Sequence, residues 1–582
     1  MNDLDKKAFL RKYEDEYRAE KERLGNRGLP EIDEALFDMY FQTGNRIEYE
    51  KVYFERRKFL SVFAMSALLY KRKEDIRRLG EIIAEICGEK CWALPAHIDR
   101  TQSDCDKTID LFAAETAFSL ADISFRLKDE LSSDIRSLIR TEVFDRVLTP
   151  FRKRTHFGWE DSVSNWNAVC CGSVGSAAIL LMEDDKPALG AVLERINNDL
   201  IHYREGFYED GVCPEGLGYY TYGMMFLAAY DELLRAYTND REGFFGTEKE
   251  KRMALFAQGC VMSSGTTAAF SDCDKPGYFR LGLFSYLSEK TDGITFPPLK
   301  LAAGLHSDSC YRYIVLSRDY FWIKDTASRE KEGLPDETFF GSAEWWIVRS
   351  ENDCSLAVKG GNNGESHNHN DVGSFHYVCG SEYILDDLGA GEYTADYFGN
   401  GRYDILNCRS AGHNLPVIDG AEQCAGAEFR ADSFIRTGDG TICTDITSAY
   451  GRKPPDKIAR HFSFDKKSGL VRITDRFVLP DGTDIAENLV SPYRPELREN
   501  GFMIKTATQS FNITVKGGCG FTVTKENYSD HAGKQCCVYF MRWKVSGGSP
   551  ETELTVLPQA ESRVHLTPGG RYISYPAAAG EL

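Results

Sequence analysis

From about residue 55 to residue 310 the apolar residues recur at spacings of three and four, the period of a helix with one buried face. The segments AMSALLYKRKEDIRRLGEIIAEIC, LFAAETAFSLADISFRLKDEL, SSDIRSLIRTEVFDRVLTPF, NAVCCGSVGSAAILLME and YYTYGMMFLAAYDELLRAY carry this pattern in succession. Connections such as EDGVCPEGLG supply the Gly and Pro that stop helices. Repeated helix pairs predict an α/α toroid or a solenoid, and no fixed sequence repeat favours the solenoid. Beyond about residue 340 the texture changes. EWWIVRS, CSLAVKG, SFHYVCG, HFSFD, GLVRITDRFVL, FNITVKG and CCVYFMRWKV are short β-branched and aromatic runs between Gly, Asn, Asp and Pro, which predicts antiparallel sheets packed as a sandwich. The boundary is expected between about 320 and 345, at the polar link DTASREKEGLPDE, giving a helical domain over 1–335 and a β-domain over 336–582.

A length of 582 residues exceeds one core, and 42% hydrophobic with 27% charged residues is the balance of a soluble globular protein. The N-terminal stretch MNDLDKKAFLRKYEDEYRAEKERL lacks the apolar centre of a secretory signal, and no run approaches the roughly 20 apolar residues of a membrane span. A cytoplasmic protein without a membrane partner is therefore expected. The 17 cysteines, with adjacent pairs at Cys170/Cys171 and Cys536/Cys537, lack disulfide-framework spacing and are expected as reduced thiols. Cys87 and Cys91 are read as an incidental pair. With 70 basic against 89 acidic side chains, the charge of −19 argues against a nucleic-acid surface. An anionic substrate then requires a local positive pocket, since exposed charges more than about 10 Å away are largely screened.

Candidate chemistry concentrates in GGNNGESHNHNDVGSF, where His367, His369 and Asp371 alternate. On extended backbone alternate side chains share a face. Asp386 follows in YILDDLGAGEY and His413 in RSAGHNLPVIDG. Two imidazoles and a carboxylate suit zinc where they converge, although HxH pairs also occur on strands without metal, and Asp371 is equally placed to orient an imidazole. Tyr219, Tyr220 and Tyr222 open a helix in EGLGYYTYG, with Tyr219 and Tyr222 on one face. Such a stripe also serves plain core packing. Asn165 and Asn167 in SNWNAVC offer amide donors, or a helix cap at Asn165. Tyr393, Tyr397, Arg402 and Arg409 form a further group on the β-domain side, and arginine there matches a carboxylate or serves an internal ion pair.

SHNHNDVGSF, ILDDLGAGEYT and SAGHNLPVIDG, preceded by CWALPAHI, SNWNAVC and DGVCPEGLGYYTYG, resemble the heparinase II/III-like polysaccharide lyases, in order from about residue 90 to 420. The resemblance implies an (α/α) toroid followed by antiparallel β-sheets, with the active site in a cleft between them. It implies one zinc per chain, largely structural, on His369, Asp386 and His413, with His367 as a catalytic histidine and Asn167 as the donor that neutralises a uronate carboxylate. Family sequences often carry Trp at the position of Tyr220, which leaves Tyr219 as the acid/base facing His367 and Tyr222 as its reserve. His97 also matches a family motif and is read as a core histidine. Asn165, Tyr393, Tyr397 and Arg402 are the expected substrate contacts.

The implied reaction is β-elimination in a uronate-containing saccharide, leaving an unsaturated uronate, with short imported oligosaccharides cut exolytically as the expected substrates. A metal-dependent glycoside hydrolase would use the same His/Asp set to activate water and would make no ultraviolet-absorbing product. A non-catalytic carbohydrate-binding protein of the same fold is the third reading. Retention of His367, Asn167 and the GYYTYG tyrosines together argues against it, since a binding module needs no acid/base set, whereas a homo-oligomer and the particular sugar are left open by the sequence.

Overall fold

Helix starts in this chain are set by short polar side chains. Asp33, Asp110, Ser132, Asp185 and Thr247 each accept a hydrogen bond from a backbone N–H of the first turn they precede. The run expected as AMSALLYKRKEDIRRLGEIIAEIC forms two helices, Ile47–Tyr70 and Lys73–Cys87, because Lys71 turns left-handed at φ +50°. The computed structural model describes all residues except Asn26, Ser103, 326–332, Ala395, 546–550 and 560–582. Much of the link expected at DTASREKEGLPDE lies outside the described residues. The chain divides into two units: one comprises Met1–Val261, Ser271–Leu334 and Tyr393–Arg402, the other Met262–Phe270, Pro335–Glu392 and the chain from Tyr403 onward.

In the first unit helices pack as pairs: Ile47–Tyr70 with Lys73–Cys87, Leu111–Arg126 with Ser133–Val143, Asn165–Leu181 with Lys186–Glu205, Gly216–Thr238 with Glu248–Gly259, and Leu281–Lys290 with Tyr313–Asp325. The last helix returns to pack on Ile47–Tyr70 and on Asp3–Leu24, closing an (α/α) toroid. Helices apolar on all sides belong inside, and Asn165–Leu181 is buried along nearly its whole length. Its glycines set the closest approach in the ring: a Cβ on Gly172 would lie 2.8 Å from the Phe226 carbonyl oxygen, and one on Gly175 would lie 2.6 Å from the Tyr230 ring. Buried charges join distant helices. Arg318 donates to Asp122 at 2.7 Å, Tyr313 donates to the same carboxylate at 2.8 Å, and Tyr13 donates to Asp319 at 2.7 Å. No described helix is long and apolar enough to cross a membrane.

The second unit holds antiparallel sheets. A five-stranded sheet runs in the order Glu337–Phe340, Trp345–Arg349, Cys354–Lys359, Phe375–Cys379, Glu382–Leu385. An eight-stranded sheet has Val471–Val478 and Lys457–Phe464 near its middle, and a four-stranded sheet is built on Ile485–Ser491 and Gln535–Val545. Strand Val471–Val478 shows the half-buried alternation, with Val471, Ile473, Asp475 and Phe477 inside. Trp346, Leu356, Phe375 and Tyr377 share one core with Phe462, Ile473, Phe502, Ile513 and Trp543. Asp475 is admitted to that interior because Arg460 donates to both of its oxygens, at 2.8 and 3.0 Å. Every strand run expected from the sequence is present. One expectation fails: Cys354 and Cys379 are bonded, because strand register sets them directly opposite, with Cα atoms 4.0 Å apart.

A carboxyl pair in the helical unit sets a pH dependence. Arg195 grips Glu160 at 2.6 and 2.7 Å, and Asp199 lies beside the Glu160 carboxylate. Burial and then the Glu160 carboxylate push the Asp199 carboxyl up to about 7. Because its folded pKa is raised, the stability contribution of the protonated form is full below the ordinary value of 3.8 and is lost as pH rises towards about 7. Asp199→Asn, which mimics the protonated side chain, should therefore melt increasingly above wild type between about pH 4 and 7, with a constant gap at higher pH, as read by thermal denaturation.

Candidate functional site

Two groups of chemistry-bearing side chains stand out, one in each unit. In the helical unit the segment Gly216–Thr238 starts as a helix after Gly216, whose φ of +86° is the left-handed region that suits glycine. Glu215 precedes it and accepts from both the backbone N–H and the side-chain amide of Asn165, at 2.8 and 3.0 Å. This double bond pins the start of one inner helix to the start of the next and places Tyr219 one turn on. The Tyr219 hydroxyl lies 2.7 Å from that of Tyr393, and Tyr393 donates to Asp272 Oδ2 at 3.2 Å. Asp272, 5% exposed, also accepts from Tyr397 and, at 3.2 Å, from Arg402. The Arg402 guanidinium lies 4.4 Å from the centre of the Tyr397 ring. Burial pushes the Tyr219 phenol up, its bond to Tyr393 opposes this, and the Asp272 charge adds to the rise. Tyr219 is thus a protonated phenol at neutral pH, half-buried and coupled to a fixed carboxylate.

In the second unit His369, Asp387 and His413 bring one potential ligand atom each within 4.8 Å of one another. His413 Nδ1 lies 3.0 Å from Asp387 Oδ2, and His369 Nδ1 lies 4.0 Å from Asp387 Oδ1. All three are buried. His413 turns Nε2 to the Asn407 carbonyl at 3.1 Å, which leaves Nδ1 facing the carboxylate. The Asn407 side chain donates to Gly389 O at 3.1 Å, and the Gly389 N–H donates to Asp387 Oδ1 at 2.7 Å, so one asparagine ties the His413 loop to the Asp387 loop. Burial opposes ionisation of Asp387, yet the adjacent His413 and His369 hold its carboxyl far below the usual range. Two imidazoles and an ionised carboxylate, buried and converging, form a donor set of the kind that holds a metal ion.

Residues 332–538 match the family model described as heparinase II/III-like, C-terminal. Among solved structures the chain is similar to heparinase III, with TM-score 0.63 and 14% identity over 94% of this chain and 92% of that one. It is also similar to a second heparinase III gene product, with TM-score 0.62 and 14% identity over 94% and 89% of the two chains. A heparan sulfate lyase HepC mutant from Pedobacter heparinus gives TM-score 0.60 and 14% identity over 96% and 88%. At such identity the likeness establishes the fold, an α/α toroid followed by antiparallel sheets. No curated protein matches the chain.

Several expected residues sit elsewhere than the motifs imply. The carboxylate between His369 and His413 is Asp387, whereas Asp386 lies 3.6 Å from His376 Nδ1. Neighbouring side chains on extended backbone point to opposite sides, and Asp386 takes the other side as its N–H donates to Val490 O. Asp371 does not join the set; it pairs with the fully buried Lys359 at 2.7 Å. His367 turns left-handed at φ +57°, so the alternation expected across His367, His369 and Asp371 is broken. Asn167 is completely buried, and its amide donates to the carbonyls of Trp159, Glu160 and Asp199. That arrangement holds a turn to two helices and directs no donor to a substrate. The cap of its helix is Ser164, not Asn165. Tyr222 donates to Glu115 under the Arg312 guanidinium, apart from the Tyr219 group, and Tyr220 is core, bonded to Met253 O. Tyr393, Tyr397 and Arg402 belong to the helical unit rather than to the β-domain, and Arg402 is engaged by Asp272. Arg409 pairs with Glu422, and His97 with Asp110 at 2.7 Å. Asp272, Glu215 and Asp387 escaped sequence reasoning; only the tandem DD at 386–387 carried any signal.

Protein purified without chelator should carry about one metal equivalent by elemental analysis. Asp387→Ala and His413→Ala should each lose it and melt lower, because metal bound only to the folded chain stabilises it. Asp386→Ala should retain it; retention by Asp387→Ala with loss in Asp386→Ala would reverse the assignment.

Proposed function

We propose that this chain is a polysaccharide lyase that cleaves uronate-containing glycosidic bonds by β-elimination. The observation that carries the reading is a protonated, half-buried tyrosine, Tyr219, tied through Tyr393 to a fixed carboxylate in an α/α toroid that accompanies a heparinase II/III-like sequence. The similar solved proteins bear the titles heparinase III and heparan sulfate lyase, which supports an acidic saccharide as substrate.

β-Elimination removes the proton alpha to a uronate carboxylate, moves the C–H electron pair into a new C=C bond and breaks the bond to the leaving glycosidic oxygen, which takes a proton. Tyr219 is assigned to the proton transfers. Its raised phenol keeps a proton available for the leaving oxygen at neutral pH. His367 is assigned as the donor that offsets the carboxylate charge, because Asn167 faces backbone carbonyls instead. Asn165 acts at one remove by fixing Glu215 and with it the start of the Tyr219 helix. The metal proposed for His369, Asp387 and His413 is zinc, which suits two imidazoles and a carboxylate. When bound it would brace the three loops. Cytoplasmic action on short imported oligosaccharides, cut exolytically, belongs to the same proposal. Unbridged thiols such as Cys170 and Cys171 support that setting, and the Cys354–Cys379 bond argues against it.

A panel of defined uronate oligosaccharides with ultraviolet and mass-spectrometric readout tests the reading, which fails if no unsaturated product forms. With an active substrate, Tyr219→Phe should keep the fold and lower turnover by about 10²–10⁴-fold. Tyr222→Phe should lower it far less, since its hydroxyl serves Glu115.

A further inference from the structure

The carboxylate of Asp272 has no place in the reaction as written, yet it accepts from Tyr393, Tyr397 and Arg402 beside Tyr219. It is held from three directions: Tyr397 and Arg402 donate to it from one short segment, and Tyr393 donates from the start of the same segment. Arg402 also donates to the Tyr397 carbonyl at 3.0 Å, so the guanidinium braces both the acceptor and a second donor. Ser271, immediately before it, adopts φ +67°, an uncommon conformation for a residue with a side chain, and its hydroxyl donates to Pro214 O at 3.0 Å, next to Glu215. The backbone that presents Asp272 is thus anchored to the segment that starts the Tyr219 helix.

We propose that Asp272 is a positioning residue for Tyr219, acting through Tyr393 to fix the direction of the hydroxyl chain. An ionised carboxylate accepts only. Tyr393 must therefore turn its proton towards Asp272, and its oxygen is left to accept from Tyr219. The Tyr219 proton is directed inward to Tyr393, at the head of a hydrogen-bond chain that ends on the Asp272 carboxylate. When the Tyr219 proton passes to Tyr393 and the Tyr393 proton passes to Asp272, the Tyr219 oxygen is freed as a phenolate to take the substrate proton; as Tyr219 then gives that proton to the leaving oxygen, the two protons return along the same chain, so one phenol serves both transfers with no net gain or loss of protons. Among the described residues the charged groups that act most on Tyr219 are Asp272, Glu215 and Arg46, with Tyr393 as a hydrogen-bond partner; Arg402 balances Asp272. The role given to Tyr219 rests on the lyase reading, whereas its coupling to Asp272 does not.

The coupling is measured without substrate by placing 3-fluorotyrosine at position 219 and following its ionisation by ¹⁹F NMR. Asp272→Asn removes a negative charge and should lower the titration midpoint by about one pH unit. On ionisation of Tyr219 the Tyr393 proton turns to the phenolate, so Tyr393→Phe removes a hydrogen bond that favours the ionised form, leaves the Tyr397 and Arg402 contacts of Asp272 in place, and should move the midpoint up. Asp272→Glu should restore most of the wild-type value. A merely structural Asp272 would alter melting without these opposite shifts, and unchanged midpoints in folded Asp272→Asn and Tyr393→Phe proteins would overturn the proposal. If Asp272→Asn does not fold, Tyr393→Phe and Asp272→Glu decide alone. In turnover assays the basic limb of the rate profile should move in the same direction as the NMR midpoint for each variant. Wild type that makes no unsaturated product from any uronate would overturn the lyase reading and leave the NMR result standing, whereas active wild type with unmoved NMR midpoints would overturn only the role of Asp272.

Discussion

Buried charge must be met by opposite charge or by hydrogen-bond donors, because an unpaired ion in the interior costs several kcal/mol. This constraint shapes both units more visibly than any apolar contact. In the helical unit Arg318 is fully buried and reaches Asp122 from another inner helix, while Arg280 and Tyr13 converge on Asp319. In the second unit Lys359 meets Asp371 and Arg460 meets Asp475. Each pairing fixes two segments that are far apart in the chain, so removing one partner would leave a charge stranded inside.

The same requirement explains the two functional groups. Tyr393, Tyr397 and Arg402 supply donors that make Asp272 tolerable inside, and Tyr393 links it to Tyr219. Asp387 is held ionised beside two imidazoles, and the asparagine at 407 sets which imidazole nitrogen faces it. In both places a carboxylate is the fixed point, and the tyrosine proposed for proton transfer or the imidazoles proposed as ligands are oriented around it. A tyrosine three residues along the same helix, Tyr222, has a hydroxyl of equal intrinsic chemistry and a different task, because Glu115 and Arg312 surround it.

Much of this was legible in the sequence. The change from a spacing of three and four to short β-branched runs announced a helical half and a β half, since each period buries one face of its element. The motifs SHNHND, LDDLGAGEYT and GYYTYG marked the segments that carry His369, Asp387, Tyr393 and Tyr219. They did not say which residue in each motif faces the site. Asp386 and Asp387 differ only in the side of the backbone on which they emerge, and that is settled by the hydrogen bond from Asp386 to Val490, a strand about a hundred residues later.

The sequence by itself determined the local periodicities and the family resemblance, because these depend on residues adjacent in the chain or one turn away. Only the tertiary structure decided that Asn167 serves three carbonyls, that Arg402 holds Asp272, that Cys354 faces Cys379, and that Tyr393–Arg402 packs with the helices although strands precede and follow it. Those partners are brought together by chain closure over tens to hundreds of residues, and no spacing rule within a motif encodes which distant carboxylate, carbonyl or thiol will complete a buried polar group.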